Sequence, residues 1–574
     1  MIDTSSDIQW LIKAGSASEK INALRKELNG VHPVLCDILL QRGIDSKVKA
    51  EFFFRPKLDQ LNDPWLMLDM DLAVDRLSKA KDTGQKVMVL GDYDVDGTTS
   101  AAMMYLFLKS IEVACDYYIP DRYKEGYGIS IDSIDHAVKS GFSLMICLDC
   151  GIKAIDKVQY ANEKGLDLII CDHHTPGSEI PKAVAVLDPK REGCTYPFKE
   201  LSGCGVGFKL IQAMLDRLAL PAENAHAYLD LLATSIAADM VPIVDENRVL
   251  TMYGLHKVNA NPSIGIRAMK DSTTYNKEYK TSDLVFKIAP RINAAGRMSS
   301  GSKAVEILVS DNLDQALELA NRVNEYNLER RETDTKMTEE ALSALELNEN
   351  FLTKKSTVLY DPSWHKGVIG IVASRMIENY YRPTIIFSGD GDVLSGSARS
   401  VRNFSVYKAI EACKDLLIQY GGHMYAAGMT MKKENFEAFC LKFEEVVSST
   451  IEPESLLPSL DIDAEMKVNE IDLEFFKILR RLGPFGPENM SPVFLSKSLL
   501  AKEVMPVGKL KNHLKLIVFD PEYPQKTVRA IAFGFGELAE HIVDGVMIDV
   551  VYSIEENAWN GRSELQLNIK DIRV

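Results

Sequence analysis

Three aspartates at alternate positions, Asp92, Asp94 and Asp96, lie within the stretch KVMVLGDYDVDGTTS at 86–100. Carboxylates packed this densely repel one another unless a cation or hydrogen-bond donors offset their charge. Hard divalent ions such as Mg²⁺ and Mn²⁺ favour such oxygen ligands. Asp and Gly are equally at home in an ordinary turn, so the stretch by itself leaves both readings open. Groups of the same chemistry follow downstream. Asp149, the Asp172-His173-His174 triplet and Asp188 each stand where an apolar run ends, and Asp239 sits among Ala, Met and Val in YLDLLATSIAADMVPI. An acidic residue in such a setting is paired or liganded, because an unpaired buried charge is very costly.

Cationic residues form a second set. Arg291 and Arg297 bracket small residues in APRINAAGRMSSGS, read as a loop that a phosphate-bearing chain could approach closely. VLSGSARS reads as a strand entering a Ser-Arg loop, and Gly-rich loops carrying Ser397, Arg399, Arg402 and, in GGHMYAAG, His423 suit a phosphate or an acidic substrate. Lys502, Lys509, Lys511 and Lys515 cluster near the C-terminus. Turn glycines and solvated surface cations are the plain alternative for each. Cys147 and Cys150 form a C-x-x-C pair without a second pair at ligand spacing, which favours small core residues over zinc or redox chemistry. His136 and His226 stand alone on helical stretches and read as surface or packing residues.

The elements that must position these groups follow from pattern. Residues 86–90 are an apolar, β-branched run of strand length that breaks at Gly91, and a helical stretch follows at 101–109. The runs VACDYYIP, SLMICLDCGI, LDLIICDHHTP and AVAVLDP alternate with helical stretches, which implies a parallel, doubly wound sheet with its polar groups at the carboxyl ends of the strands. A long helix is expected over 311–347, then a second α/β pattern, then five or so short strands that read as a small barrel of the OB type. The expected fold is α/β: two α/β domains joined by a long helix, with a C-terminal OB-type β-barrel. The division is a helical segment over 1–80, the carboxylate-bearing domain over 81–300, a connecting helix over 301–350, the second α/β domain over 351–452 and the barrel over 453–574.

A chain of 574 residues exceeds a single core and implies several domains. With 46% apolar and 26% charged residues it has the composition of an ordinary globular protein. Its apolar runs fall short of the roughly 20 residues that span a bilayer. The N-terminus MIDTSSDIQW lacks the basic start and apolar core of a signal peptide, and nine scattered cysteines suit reduced thiols, so a cytoplasmic location is expected. A formal net charge of −16 argues against a protein that coats nucleic acid non-specifically, but allows an enzyme with a local basic groove.

The combination of GDYDVDG, LDCG, CDHH, Ala237-Ala238-Asp239 and GGHMYAAG resembles the Asp-His-His phosphoesterase superfamily. PDRYKEGYG, LSGCGVGFKL, APRINAAGRM, WHKGVIGIVASR and GSARS narrow the resemblance to the RecJ type of 5′→3′ single-strand exonuclease. It implies a two-ion Mn²⁺ or Mg²⁺ site between the two α/β domains. Asp94 and Asp96 would bind different ions, Asp149 would bridge them, His173 and Asp239 would be further ligands, and His174 would face the scissile phosphate or complete the site. Asp92 would support the site. Leu90 stands where related pyrophosphatases carry a metal-binding histidine, which points away from that activity. Arg122, Ser397 and Arg399 would hold a 5′ phosphate, with Arg291, Arg297 and His423 as further substrate contacts. PFGPENMSPVF departs from the Gly-Asn-Pro turn usual in the family. The implied activity is release of mononucleotides from single-stranded DNA in repair and recombination, with a single-strand-binding protein and a helicase as expected partners. Two rivals are a phosphodiesterase of very short RNAs or cyclic dinucleotides, which the barrel disfavours, and a non-catalytic scaffold, which needs no full ligand set.

Overall fold

The computed structural model describes residues 8–347, 351–559 and 562–574. The chain divides into two compact units, and the division falls inside the long helix Leu313–Glu346. One unit holds residues 51–330 with 483–490, and the other holds 1–50, 331–482 and 491–574.

The first unit is built on a five-stranded parallel sheet in the order Cys115–Tyr118, Lys86–Gly91, Phe142–Leu148, Asp167–Cys171, Ala185–Leu187. Both faces are covered, as parallel sheets require. Val87, Val89, Leu144, Ile146 and Leu148 pack into one apolar layer, and Met88, Leu90, Met145, Cys147 and Ile170 into the other. Cys147 and Cys150 are fully buried in the second layer, in keeping with their reading as core residues. The strand order reverses direction at Lys86–Gly91, so the crevice for a ligand opens beyond the carboxyl ends of that strand and of Phe142–Leu148. Those are the ends that carry Asp92 to Asp96 and Asp149.

One expectation in this unit is corrected. APRINAAGRM is not a loop: Ala289–Met298 is an α-helix. Arg291, Ala294, Ala295 and Arg297 are strong helix formers, and Pro290 falls in the first turn, where a missing N–H costs little. The preceding residues Leu284–Ile288 form a π-helical turn. Pro290 offers no N–H to the Phe286 carbonyl and its ring crowds that oxygen, so the chain widens locally.

In the second unit a five-stranded sheet runs in the order Gln419–Gly422, Ala426–Lys432, Val393–Arg399, Thr384–Ser388, Thr357–Asp361. Its last pair is parallel and the other pairs are antiparallel. GGHMYAAG, read as a Gly-rich loop, is the turn of an antiparallel hairpin; VLSGSARS is the strand it reads as, Val393–Arg399, but the strand runs on through Ser397 and Arg399, which are expected in the loop after it. The C-terminal strands Phe494–Val507, His513–Phe519, Thr527–Phe533, Arg562–Arg573 and Met547–Trp559 pair in that order, and the last closes on the first to make a five-stranded barrel. The N-terminal segment, expected as mostly helical, also supplies a short strand, Gln9–Ile12, parallel to Ser459–Ile462. Trp10 pins it down: the indole donates to Asp571 at 2.6 Å and the Arg573 guanidinium stacks on the ring.

Candidate active site

Each site residue owes its place to the end of an element. Asp94 caps the helix Val95–Ser110, its Oδ1 accepting from the Gly97 N–H at 3.0 Å. Asp96 follows one step inside that helix and meets the start of another, Gly203–Arg217. The Gly203 and Cys204 N–H groups donate to its carboxylate at 2.7 and 2.9 Å, as a helix N-terminus does for an anion. A relay adds a third donor: the Gly205 N–H donates to Ser202 Oγ, which lies 2.7 Å from Ser235 Oγ, which donates to Asp96 Oδ1 at 2.7 Å.

Asp149 stands immediately after Phe142–Leu148 with φ at +61°, the left-handed region a non-glycine residue rarely adopts. Its N–H donates to the Cys171 carbonyl at 2.9 Å and its carbonyl accepts from Tyr127 Oη at 2.6 Å. The chain on either side holds the residue in this conformation, a pattern that belongs to functional sites. Gly203 passes so close that a Cβ there would lie 2.6 Å from the Asp149 Cβ.

His173 Nε2 is the centre of the cluster. It lies 3.2 Å from Asp149 Oδ1, 3.6 Å from Asp239 Oδ2 and 3.8 Å from Asp96 Oδ2. Two three-residue sets bring their ligand atoms within 4.8 Å of one another: Asp149, His173, His174, and Asp96, His173, Asp239. The residue common to both is His173, whereas the family resemblance gives the bridging place to Asp149. Asp94 belongs to neither set among the described residues, although its charge is felt by Asp149 and Asp239. His174 is steered from two sides. Its Nδ1 lies 2.7 Å from Asp172 Oδ1 and its Nε2 lies 3.4 Å from Tyr127 Oη.

Electrostatics make the cluster costly as it stands. Burial, then the charges of Asp96 and Asp94, pushes both Asp149 and Asp239 well above the usual carboxylate range. Burial and Asp94 do the same to Asp92. Burial also works against charge on Asp172, but the hydrogen bond from His174 and a backbone N–H overcome it and hold the group at about 2. Asp149 Oδ1, Asp92 Oδ2 and both ring nitrogens of His173 are buried without a hydrogen-bond partner. Buried polar atoms without partners are rare and call for a cause. A set of carboxylate oxygens and imidazole nitrogens that mutual repulsion keeps from ionising together has the donor chemistry of a divalent cation site.

Around the rim, the Arg122 guanidinium sits over the Tyr93 ring at 5.0 Å, and Tyr93 meets Tyr127 edge to face. Tyr123 Oη donates to the Arg297 carbonyl at 2.5 Å, which ties the segment carrying Arg122 to the end of the helix carrying Arg297. Arg291 lies further back on the same helix, bonded to the Lys287 carbonyl. In the other unit, Arg399 NH1 lies 3.3 Å from Ser397 Oγ, and Gly370 lets the neighbouring helix approach both. The exposed His423 stands just beyond Gly422 in the hairpin turn. Tyr127, Gly203, Ser235 and Lys190 were not found from sequence. Lys190, paired with Glu200 at 3.1 Å, lends positive potential to His173 and Asp239. Gly203 and Tyr127 carried a local signal, the small residues of LSGCGVG and the Gly-Tyr-Gly of PDRYKEGYG.

The fold and this cluster define a phosphoesterase of the Asp-His-His class. The DHH family N-terminal domain matches residues 86–236, the DHHA1 domain residues 350–449 and the RecJ OB domain residues 462–571. The chain is 36% identical over 573 residues to the single-stranded-DNA-specific exonuclease RecJ of Bacillus subtilis, spanning 99% of this chain and 71% of that protein. To its Escherichia coli counterpart it is 32% identical, spanning 94% and 96%. The crystal structure of RecJ with Mn²⁺ from Thermus thermophilus superposes with a TM-score of 0.85 at 28% identity, covering 99% of this chain and 80% of that one. The chain belongs to the RecJ family of single-stranded-DNA-specific exonucleases.

Proposed function

We propose that this chain hydrolyses single-stranded DNA from its 5′ end, releasing mononucleotides, with two Mn²⁺ or Mg²⁺ ions at the carboxylate–histidine cluster. The observation that carries the reading is the convergence of Asp96, Asp149, His173, His174 and Asp239, with buried ligand atoms that have no hydrogen-bond partner among the described residues. Asp96, Asp149, His173 and Asp239 would hold the ions, and Asp94 would join them from the helix cap. A pair of divalent cations supplies an activated water and neutralises the departing oxygen of an in-line displacement.

The chain's own residues do the rest. Asp172 holds the His174 ring by Nδ1, so that its other nitrogen faces Tyr127 and the mouth of the site. Helix-terminal N–H groups and the hydroxyls of Ser235 and Ser100 satisfy Asp96, whose Oδ2 lies 3.8 Å from His173 Nε2. Arg122 and Arg297 would bind phosphates at the rim, and Ser397 and Arg399 would bind the 5′ phosphate with the planar fork that lysine lacks. Arg291 and His423 would contact the strand further along. The barrel would bind the distal strand through Lys502, Lys509, Lys511 and Lys515. A single-strand-binding protein and a helicase are the partners such a nuclease would meet in repair and recombination.

The test is digestion of matched single- and double-stranded DNA, labelled at one end, with Mn²⁺ and with EDTA. Expected are mononucleotides from the 5′ end of the single strand, no product in EDTA and none from a folded Asp149→Ala variant. Equal attack on duplex, removal from the 3′ end, or near wild-type cutting by Asp149→Ala would overturn the reading.

A further inference from the structure

The helix that carries Arg291 and Arg297 presents one stripe to solvent. Phe286, Pro290, Asn293 and Arg297 recur at i, i+4, i+7 and i+11, the spacing of a single helix face. Phe286 is exposed and the other three are partly exposed, while Ala289 and Ala294 beside the stripe and Ile288, Ile292 and Ala295 on the far side are buried. At one end of the stripe the helix abuts the aspartate loop: a Cβ on Gly296 would lie 2.8 Å from the Tyr93 carbonyl oxygen, and the backbone carbonyl of Arg297 accepts from Tyr123 Oη. At the other end is Phe286, 75% exposed on the π-helical turn. The rise of the helix sets the two ends about 16 Å apart.

That turn is held firmly. Lys287 pairs with Asp283 and lies over the Tyr275 ring at 3.9 Å, so its charge is engaged and the ring of Phe286 beside it is left facing water. π-Helical turns concentrate at functional sites. An apolar ring at the end of a stripe that begins with a guanidinium has the chemistry of a single strand: phosphate at one end, the π-face of a base at the other.

We infer that Phe286 is a stacking platform for a base of the single-stranded substrate, several nucleotides from the end being cut. The inference rests on the functional reading above and adds the position at which the strand is held by its bases. Stacking on an exposed aromatic is sequence-tolerant, because every base has a π-face, which suits an enzyme that must process any sequence. Pro290 and Asn293 form the path between the two ends.

The experiment scans a 5′-phosphorylated 12-mer in which one nucleotide at a time is abasic, so that a base is removed while its phosphate remains. Affinity of the full-length protein is measured by fluorescence anisotropy in EDTA, and cutting of the intact strand is measured separately with Mn²⁺. For the wild type, affinity should fall about five-fold when the abasic nucleotide occupies the position over Phe286. Phe286→Ala should bind the intact strand about five-fold more weakly and lose that position dependence, and Phe286→Trp should keep it. The loss in Phe286→Ala should therefore appear in KM rather than in kcat. If the wild type binds and cuts but its abasic profile is flat, or if Phe286→Ala keeps the wild-type profile, this inference alone fails. If the wild type neither binds nor cuts the strand, the functional reading fails and the inference with it.

Discussion

Gly203→Ala tests whether the cluster depends on the close approach of two elements rather than on its ligands alone. A methyl group at this position would lie 2.6 Å from the Asp149 Cβ, 2.7 Å from its Cα and 2.9 Å from its Oδ1. Ordinary carbon contacts are about 3.5–4.0 Å, so roughly 1 Å of displacement is required. Neither partner can give way cheaply. The Asp149 backbone is tied to Cys171 and Tyr127, and the Gly203 N–H is tied to Asp96. The shift therefore falls on the separation of Asp149 from Asp96 and His173. A misplacement of about 1 Å can cost on the order of 10²-fold in rate. Overpacking of this size destabilises by about 1–3 kcal/mol, which lowers Tm by only a few degrees in a protein of this size. Single-turnover cutting of a 5′-phosphorylated strand should thus fall about 100-fold while the melt moves little, with weaker Mn²⁺ binding by calorimetry. A variant that cuts within about three-fold of wild type, with unchanged Mn²⁺ affinity, would refute the reasoning.

Three other outcomes are expected. Lys209→Met should unfold at a temperature on the order of 10 °C lower, because it leaves Glu246, 1% exposed, with Tyr196 and the Asn62 N–H but no countercharge, a loss of about 3–5 kcal/mol; a thermal melt checks it, and the double variant Lys209→Met with Glu246→Gln should regain part of the loss. Arg399→Ala should shrink the preference for a 5′-phosphate over a 5′-hydroxyl strand more than it slows cutting, and Arg399→Lys should not restore it; an unchanged ratio would place the end pocket elsewhere. Replacing Lys509, Lys511 and Lys515 together by Gln should weaken binding of a long strand more than a very short one and make the dependence of log affinity on log salt shallower by about 2. Equal loss for both lengths would leave the barrel a structural part.

What was legible in the sequence was set by local rules, and what was not depended on distant partners. The strand ends that present Asp92 to Asp96, Asp149 and His173 could be read because each apolar run stops abruptly at a polar residue, and a parallel sheet sends all such ends to one edge. Gln9–Ile12 left no comparable trace: its partner strand starts at Ser459, and its anchor, Asp571, lies 561 residues from Trp10. The helix Ala289–Met298 reads as a loop because its Pro, Asn and Gly outweigh its alanines when taken singly. In the fold those residues divide by face. Pro290 and Asn293 lie on the partly exposed side, and Gly296 lies where the helix touches the Tyr93 carbonyl and a side chain would not fit.

The same division explains why ligand candidates were readable and the geometry that makes them a site was not. A carboxylate announces itself by type, but whether its charge is tolerated depends on donors from elsewhere. Asp96 is satisfied by the start of a helix more than 100 residues away and by Ser235, while Asp149 Oδ1, equally buried, has no hydrogen-bond partner. Asp172, two residues from His174, is held ionised at about 2 by that histidine and by backbone N–H groups, and so serves to orient the ring. Three aspartates of one residue type therefore do three different things, and the difference lies in which N–H and O–H groups the fold aims at each. Gly203 links two of them. The absence of a side chain lets one helix start donate to Asp96 and pass against Asp149 at once, so the spacing of the two carboxylates is set by a residue that ligates nothing.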